Sequence, residues 1–131
     1  MIINIPVKPI SANDCWKGRH FPTRKYEEFK KEVDCHFFGK KRNYGNVNRY
    51  VYIKYVFYLV NFCRRDVDNC VKPLQDCLVR NGIICDDRYI LGFSARKIKS
   101  KEDKVEIAIY QITEEELICF SEDKSEVGLK K

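Results

Sequence analysis

The residues best suited to chemistry in this sequence are acids within one stretch, residues 64–87. Asp66 and Asp68 flank a single valine near its start, and Asp86 and Asp87 close it. In an extended segment residues i and i+2 point to the same face, so the first two carboxylates can converge on one cation. Carboxylates without a thiolate or imidazole ligand set favour a hard divalent ion such as Mg²⁺. The stretch therefore predicts a metal site.

Basic residues surround these acids. Arg64 and Arg65 precede them, and Lys72 lies four residues after Asp68, the helical spacing that places an ammonium beside a carboxylate. Acids that hold a metal inside a basic surround suit a phosphodiester substrate. The alternative interpretation is that each acidic pair is only a turn or a helix cap, which is the commoner role of an isolated Asp-x-Asp run.

A predicted helix joins the two acidic pairs. Its apolar residues recur at the spacing of a buried stripe, with Asp68 as the predicted N-cap and Asn81 and Gly82 as the stop. The members of the stripe are Val67, Cys70, Val71, Leu74, Cys77 and Leu78. Pro73 would fall early in this helix, where its missing N–H removes a hydrogen bond. The helix therefore either begins later or has a distorted first turn.

The other elements are predicted from the periodicity of apolar residues. They are a strand at residues 1–7, a helix at 23–38 capped by Thr23, a long strand at 50–62, and strands at 89–99 and 104–112. The strand at 50–62 is apolar on both faces, so we expect it in the centre of the sheet. The last two strands are expected to pair as an antiparallel hairpin. Asp87 would then begin a strand beside the one that ends near Asp66, and this adjacency would bring the acids together.

Composition and charge indicate one domain with an anionic partner. The chain has 131 residues, with 25 Lys and Arg against 19 Asp and Glu, for a formal net charge of +6. This length permits a buried core but no second domain. Basic residues concentrate between positions 16 and 65, whereas residues 113–126 are acidic. We expect a basic body, then a short helix with a capping box at Thr113 and Glu116, and a frayed tail.

The cysteines give no sign of a disulfide framework or a zinc site. They are Cys15, Cys35, Cys63, Cys70, Cys77, Cys85 and Cys119, an odd number without a Cys-x-x-Cys pair. We interpret them as reduced core residues, and with only two histidines a cysteine nucleophile is disfavoured. Without a signal peptide or a bilayer-long apolar run, the sequence predicts a cytoplasmic protein with no membrane partner.

The acidic stretch resembles a known family well beyond its acids. RusA-type Holliday junction resolvases, dimeric endonucleases of phage and prophage origin, share an Asp-x-Asp-Asn-x-x-Lys run, a later Asp, a glycine turn, an Asp pair and a following lysine. The matching residues here are Asp66, Asp68, Asn69, Lys72, Asp76, Leu78, Gly82, Ile83, Asp86, Asp87 and Lys97. Pro9, Ser11 and Asn13 match the opening of the family, so the resemblance covers residues 2–112.

The resemblance implies both a fold and an activity. The fold would be α+β, a small two-layer homodimeric domain over residues 1–112 with a mixed sheet of about four strands and two main helices. The activity would be a Mg²⁺-dependent endodeoxyribonuclease, with Mn²⁺ as a substitute ion, that resolves four-way and related branched DNA by symmetric nicking. Its setting would be recombination and repair in the cytoplasm of a bacterium or a phage-infected host.

The resemblance also implies roles for single residues. Asp66, Asp68 and Asp87 would bind the catalytic Mg²⁺, and Lys72 would contact the scissile phosphate or steady the attacking water. One or two bound ions can activate water and stabilise a developing oxyanion without a histidine. Asp86 is not expected to be a ligand, because in extended chain it points away from Asp87.

Basic and aromatic side chains in the loops are the predicted DNA contacts. They are Asn13, Trp16, Lys17, Arg19, Arg24, Lys40, Lys41, Arg42, Arg64, Arg65 and Lys97. Burial would suit Trp16 equally well. Asp76 is interpreted as a surface ion-pair partner of Lys72 or Arg80 rather than a catalytic group.

Two functions from other classes fit parts of the sequence. One is a basic nucleic-acid-binding module that has kept the fold without cutting, but its repelling acids and Lys72 would then serve no purpose. The other is a metal-dependent sugar-nucleotide transferase built on the Asp-x-Asp run, for which the chain leaves little room for a nucleotide-binding domain. A gel assay with a four-way junction and Mg²⁺ separates the three functions.

Overall fold

Two long helices and a mixed sheet make up most of the computed structural model. It describes residues 1–19, 21–40, 44–45, 49–64, 66–113 and 115–118. The elements are β1 (Ile2–Ile5), β2 (Trp16–Lys17), β3 (Phe21–Pro22), α1 (Arg24–Phe37), β4 (Arg49–Leu59), α2 (Val67–Arg80), β5 (Ile90–Lys99) and β6 (Lys104–Thr113). Single 3₁₀ turns precede β2, α2 and β5.

The main sheet has the strand order β1-β6-β4-β5. β4 is interior, as predicted, and pairs antiparallel with β6 and parallel with β5. β1 pairs antiparallel with β6 at the far edge. This four-stranded mixed sheet with two main helices confirms the α+β fold class.

The predicted hairpin between the last two strands is wrong. β4 lies between β5 and β6, so the four residues that join them cross the end of β4 instead. There the N–H of Ser100 donates to the Leu59 carbonyl at 3.0 Å, and Asp103 accepts from the N–H of Val60 at 2.9 Å. The reason is that α2 acts as a crossover and makes β5 parallel to β4, which leaves the other edge of β4 to β6.

The parallel pairing also corrects the predicted arrangement of the acids. β5 begins beside the start of β4, since Val51 pairs with Ile90, whereas Asp66 follows the end of β4. The two acidic pairs are therefore linked through α2 and the turn after it, and not through neighbouring strand ends. Gly82, at a φ of 72° that favours glycine, begins this turn.

The apolar stripes predicted for both helices are buried, apart from Val67 of α2, which is only partly buried. The buried residues are Tyr26, Phe29, Val33 and Phe37 in α1 and Cys70, Val71, Pro73, Leu74, Cys77 and Leu78 in α2. They share one core with alternate residues of β4, from Val51 to Leu59. Burial of one large apolar side chain contributes about 1.5–3 kcal/mol, so this core fixes where both helices lie. Neither helix, nor any other in the described part of the chain, is long and apolar enough to cross a membrane.

The N-caps agree with prediction for α1 and differ for α2. Thr23 caps α1 and accepts from the N–H of Tyr26 at 3.2 Å. In α2 the N-cap is Asp66, not Asp68, because Asp66 holds the extended φ and ψ of a cap while Asp68 is already helical. The helix thus begins earlier than predicted and runs unbroken through Pro73, whose buried ring offsets its missing hydrogen bond.

The end of the long strand differs from the prediction. β4 ends at Leu59 rather than at residue 62, and the 3₁₀ turn Phe62–Arg64 follows. The capping box is confirmed, since the N–H of Glu116 donates to the Thr113 hydroxyl at 3.2 Å and Glu116 accepts from the N–H of Thr113 at 3.4 Å. The predicted acidic tail, from residue 119 onward, lies outside the described residues.

The prediction that the cysteines are core residues holds for only half of those described. Cys15, Cys70 and Cys77 are buried, whereas Cys35, Cys63 and Cys85 are exposed. Burial raises the pKa of the Cys15 and Cys77 thiols to about 11. Cys119 lies outside the described residues. Cys35 lies in α1 outside its buried stripe, and Cys63 and Cys85 lie in the segments between elements.

An ion pair connects the two helices. Arg80, in the last turn of α2, pairs with Asp34 of α1, and the side-chain amide of Asn81 donates to the same carboxylate at 2.9 Å. Partial burial by itself would raise the pKa of Asp34, but the hydrogen bonds from Arg80 and Asn81 lower it below its ordinary value. The ionised form of Asp34 therefore stabilises the fold.

We predict that Asp34→Ala lowers the free energy of unfolding near neutral pH by about 1 kcal/mol, since solvent screens a half-exposed pair. A carboxyl whose pKa is lowered on folding stabilises above its unfolded pKa, and this contribution is lost as pH falls through the folded pKa. The deficit of the variant should therefore shrink below pH 3.8, the ordinary value for this group.

Urea titrations near neutral pH and below pH 3.8 measure the loss of unfolding free energy in Asp34→Ala. Glu28→Ala is the matched control, because the pair of Glu28 with Arg24 is more exposed. A deficit that stays the same at both pH values would contradict the assignment.

Candidate functional site

The first pair of acids lies at the N-terminus of α2. Asp66 accepts through Oδ1 from the backbone N–H of Asp68 and through Oδ2 from the side-chain amide of Asn69, both at 3.2 Å. Asp66 and Asp68 are both exposed. The positive end of the helix dipole favours negative charge here, which offsets the repulsion between two neighbouring carboxylates. This end of α2 therefore presents two acids to solvent.

The second pair of acids lies in the turn before β5. Asp86 caps the 3₁₀ turn Asp87–Tyr89 and accepts from the N–H of Arg88 at 3.1 Å. That backbone hydrogen bond is the main reason why the pKa of Asp86 is lowered. Asp86 also lies 3.6 Å from the Arg88 guanidinium, whereas Asp87 is exposed beside it. Asp86 thus caps its own turn, and the expectation that it is not a metal ligand stays a prediction.

Lys72 interacts electrostatically with Asp76 and with Asp87 of the second acidic pair. Its Nζ lies 2.9 Å from Oδ1 of Asp76, which confirms the interpretation of Asp76 as an ion-pair partner. The hydrogen bond to Asp76, and after it the charges of Asp76 and Asp87, raise the pKa of Lys72. The negative charge of Asp87 therefore reaches Lys72 on the exposed face of α2.

The three predicted metal ligands do not form a closed cluster. Among the described residues, no three acidic, histidine or cysteine side chains are grouped closely enough to hold a metal ion. Mg²⁺ is usually held by one or two carboxylates together with water and substrate phosphates. The exposed pair of Asp66 and Asp68 suits it in both donor type and number. The assignment of Asp87 to the same ion stays a prediction.

The N-terminal loop packs against α2 and brings an aromatic residue close to it. The 3₁₀ turn Ala12–Asp14 contacts α2, and the short β2–β3 hairpin follows. Trp16 in this hairpin is 52 % exposed and meets the ring of Tyr26 edge-on, with 5.6 Å between centroids. Trp16 therefore packs at one edge only and keeps a solvent-facing surface.

The remaining predicted DNA contacts divide into three groups. The exposed ones are Asn13, Lys17, Arg19, Arg24 and Lys40, of which Arg24 pairs with Glu28 at 3.1 Å. Lys41, Arg42 and Arg65 lie outside the described residues, as does the side chain of Arg64. Lys97 is half-buried and contacts Phe62. All of these DNA contacts stay predictions.

An exposed aromatic residue escaped the sequence analysis. Phe21 is 71 % exposed and pairs across the hairpin with Lys17, beside the pair of Trp16 and Pro22. Phe21 thus shares one face of the hairpin with Lys17, whereas Trp16 lies on the other face; an aromatic ring beside a cation suits bases and phosphates. The signal in the sequence was an aromatic residue inside a basic loop.

One protein family matches the segment that carries these residues. The model of the family described as Endodeoxyribonuclease RusA matches residues 6–110 of the chain. No curated protein matches the sequence. The matched segment contains both acidic pairs, all of α2 and the aromatic hairpin, and it ends within β6. The resemblance inferred from the spacing of the acids is thereby confirmed.

Asp66 can be tested as a helix cap independently of any activity. We predict that Asp66→Ala lowers the free energy of unfolding by about 1 kcal/mol, whereas Asp66→Asn leaves it nearly unchanged because Asn caps as well as Asp. Urea denaturation followed by circular dichroism measures both, with Asp68→Ala as the neighbouring control. Equal losses in Asp66→Ala and Asp66→Asn would show that the charge, and not the cap, stabilises the helix.

Proposed function

The chain belongs to the RusA family of endodeoxyribonucleases, and from that premise we propose that it is a Mg²⁺-dependent nuclease that resolves four-way DNA junctions. The observation that carries the proposal is the exposed pair of Asp66 and Asp68 at the start of α2, inside the matched segment. We further propose that related branched DNA is cut and that the setting is recombination and repair in the cytoplasm of a bacterium or a phage-infected host.

The acids are the proposed metal ligands. Asp66 and Asp68 offer carboxylate oxygens two positions apart at one helix start, and Asp87 is the third proposed ligand. When bound, a divalent ion lowers the pKa of a coordinated water and offsets charge on the phosphate. Mn²⁺ accepts the same oxygen ligands and is the proposed substitute.

Lys72 is the proposed cation for the scissile phosphate. Its raised pKa keeps the amine protonated at neutral pH, so it can donate to a phosphate oxygen but cannot act as a base. The Asp76 carboxylate, 2.9 Å away, restrains the ammonium on the exposed side of α2. A protonated amine can donate to a phosphate oxygen or to the attacking water, so both roles implied by the resemblance belong to the proposal.

The exposed basic and aromatic residues of the N-terminal loop are the proposed DNA contacts outside the catalytic acids. Lys17, Arg19 and Arg24 lie on or beside the hairpin that carries Trp16 and Phe21. Cations in such loops bind phosphates at any sequence and set affinity, while aromatic residues stack on bases that are not paired. This combination suits a branched substrate better than an uninterrupted duplex.

We predict that Asp66→Asn, Asp68→Asn and Asp87→Asn each abolish cleavage of a four-way junction while junction binding survives. Each change removes one ligand charge but little volume, so the fold should be retained. A gel assay with Mg²⁺ measures cleavage, and a gel shift without metal measures binding.

Asp86→Asn is the matched control for these variants and should cut nearly as well as the wild type. Near-normal turnover by any of the three ligand variants would remove that residue from the site. A wild-type protein that binds the junction and never cuts it would support the inactive nucleic-acid-binding module.

We also propose that two identical subunits act on the junction. A four-way junction has approximate two-fold symmetry, which an isologous dimer can match. When wild-type subunits are mixed with Asp68→Asn subunits, heterodimers should nick one strand only, and a gel under denaturing conditions resolves single from paired nicks. A monomer in solution that still converts junctions to paired linear duplexes would contradict the dimer.

A further inference from the structure

Lys97 directs its charge into the protein. It lies on β5 opposite the buried Phe57 of β4, so its side chain starts on the face of the sheet that carries the core. Its Nζ donates to the backbone carbonyl of Phe62 at 2.9 Å and lies 4.7 Å from the centroid of the Phe62 ring. The lysine is half-buried. One residue thus engages both the main chain and the side chain of Phe62.

Phe62 lies in the connection that leads from β4 to the first acids. It opens the 3₁₀ turn Phe62–Arg64, and α2 is capped by Asp66 shortly after. The beginning of this connection is held from the β5 side, where Ser100 donates to Leu59 and Asp103 accepts from Val60. Lys97 adds a further attachment closer to Asp66. Residues of β5 and of the segment after it thereby hold the connection at Leu59, Val60 and Phe62.

The two contacts with Phe62 are strong for a partly exposed site. A hydrogen bond from an ammonium is shorter and stronger than one between neutral groups, and a cation over an aromatic face adds a second attraction. If both are lost, the turn is released and the start of α2 can shift. A displacement of about 1 Å in a reacting group can cost about 100-fold in rate.

We propose that Lys97 is a positioning residue, which clamps the Phe62–Arg64 turn and so determines where Asp66 and Asp68 stand, rather than a contact to DNA phosphate. The inference rests on the proposed nuclease function. A phosphate contact would require the ammonium to leave both the carbonyl and the ring of Phe62. Lys99, two positions along the same face of β5, is exposed and has no such constraint.

The test compares Lys97→Met, Lys97→Arg and, as the matched control, Lys99→Met. Lys97→Met should lower kcat on a four-way junction about 10- to 100-fold with KM unchanged, and it should speed hydrogen exchange at residues 61–66. Lys97→Arg should keep kcat and hydrogen exchange at residues 61–66 near their wild-type values, because arginine keeps a charged donor. Lys99→Met should change neither. The dependence of junction binding on salt should be the same in Lys97→Met as in the wild type.

Several results would overturn the proposal. Weaker binding by Lys97→Met, with a salt slope smaller by about 0.9 and unchanged hydrogen exchange, would make Lys97 a phosphate contact. Unchanged kcat despite faster exchange would show that the turn does not position the acids. If Lys97→Met does not fold, Lys97→Gln takes its place in every measurement.

The proposed function and this inference can fail separately. A wild-type protein that cuts no junction contradicts the nuclease function. In that case, hydrogen exchange at residues 61–66 in Lys97→Met still decides whether Lys97 holds the turn, and unchanged exchange would refute the clamp itself.

Discussion

The parallel pairing of β4 with β5 is the constraint on which the rest of the structure depends. Parallel neighbours cannot be joined by a tight turn, so the chain must return to the start of β4 before β5 can begin. α2 makes this return with its buried stripe on the core. Its N-cap Asp66 and the turn that carries Asp87 are thus the two ends of one connection, and the position of each acid depends on how firmly α2 packs.

Asp66 combines a structural role with its proposed chemical one. Its carboxylate satisfies the N–H of Asp68 and the amide of Asn69, which orients the group before any ion is present. Hydrogen bonds of 3.2 Å are long, and a carboxylate has more lone pairs than these two donors use. A cap residue can therefore remain available to a cation. The same geometry separates the two roles experimentally, since Asn preserves the cap and removes the charge.

The sequence predicts those features that depend on neighbours along the chain. The stripes of both helices, the Thr23 cap and the Lys72–Asp76 pair follow from spacings of three and four residues. The positions of β5 and β6 on opposite sides of β4 do not follow from such spacings, because they depend on where α2 leads the chain. The sequence alone does not distinguish Asp66 from Asp68 as the N-cap of α2, because both are good cap residues. Only the extended backbone at Asp66 identifies it as the cap. The contact between Lys97 and Phe62 joins residues 35 positions apart and leaves no periodic signal.

The face of the sheet opposite the core is partly shielded by lysine side chains of β4 and β6. Tyr52 and Val56 of β4 are only 8 % and 7 % exposed, although they lie outside the core that the helices cover. Neighbouring side chains shield this face instead. Lys54 lies over the ring of Tyr110 at 5.5 Å, and Lys104 lies over Tyr58 at 4.8 Å. Lysine stems cover apolar surface while their ammonium groups stay in water, so these two lysines shield part of the face. Both helices pack on the opposite face of the sheet, against the alternate residues of β4 that form the core.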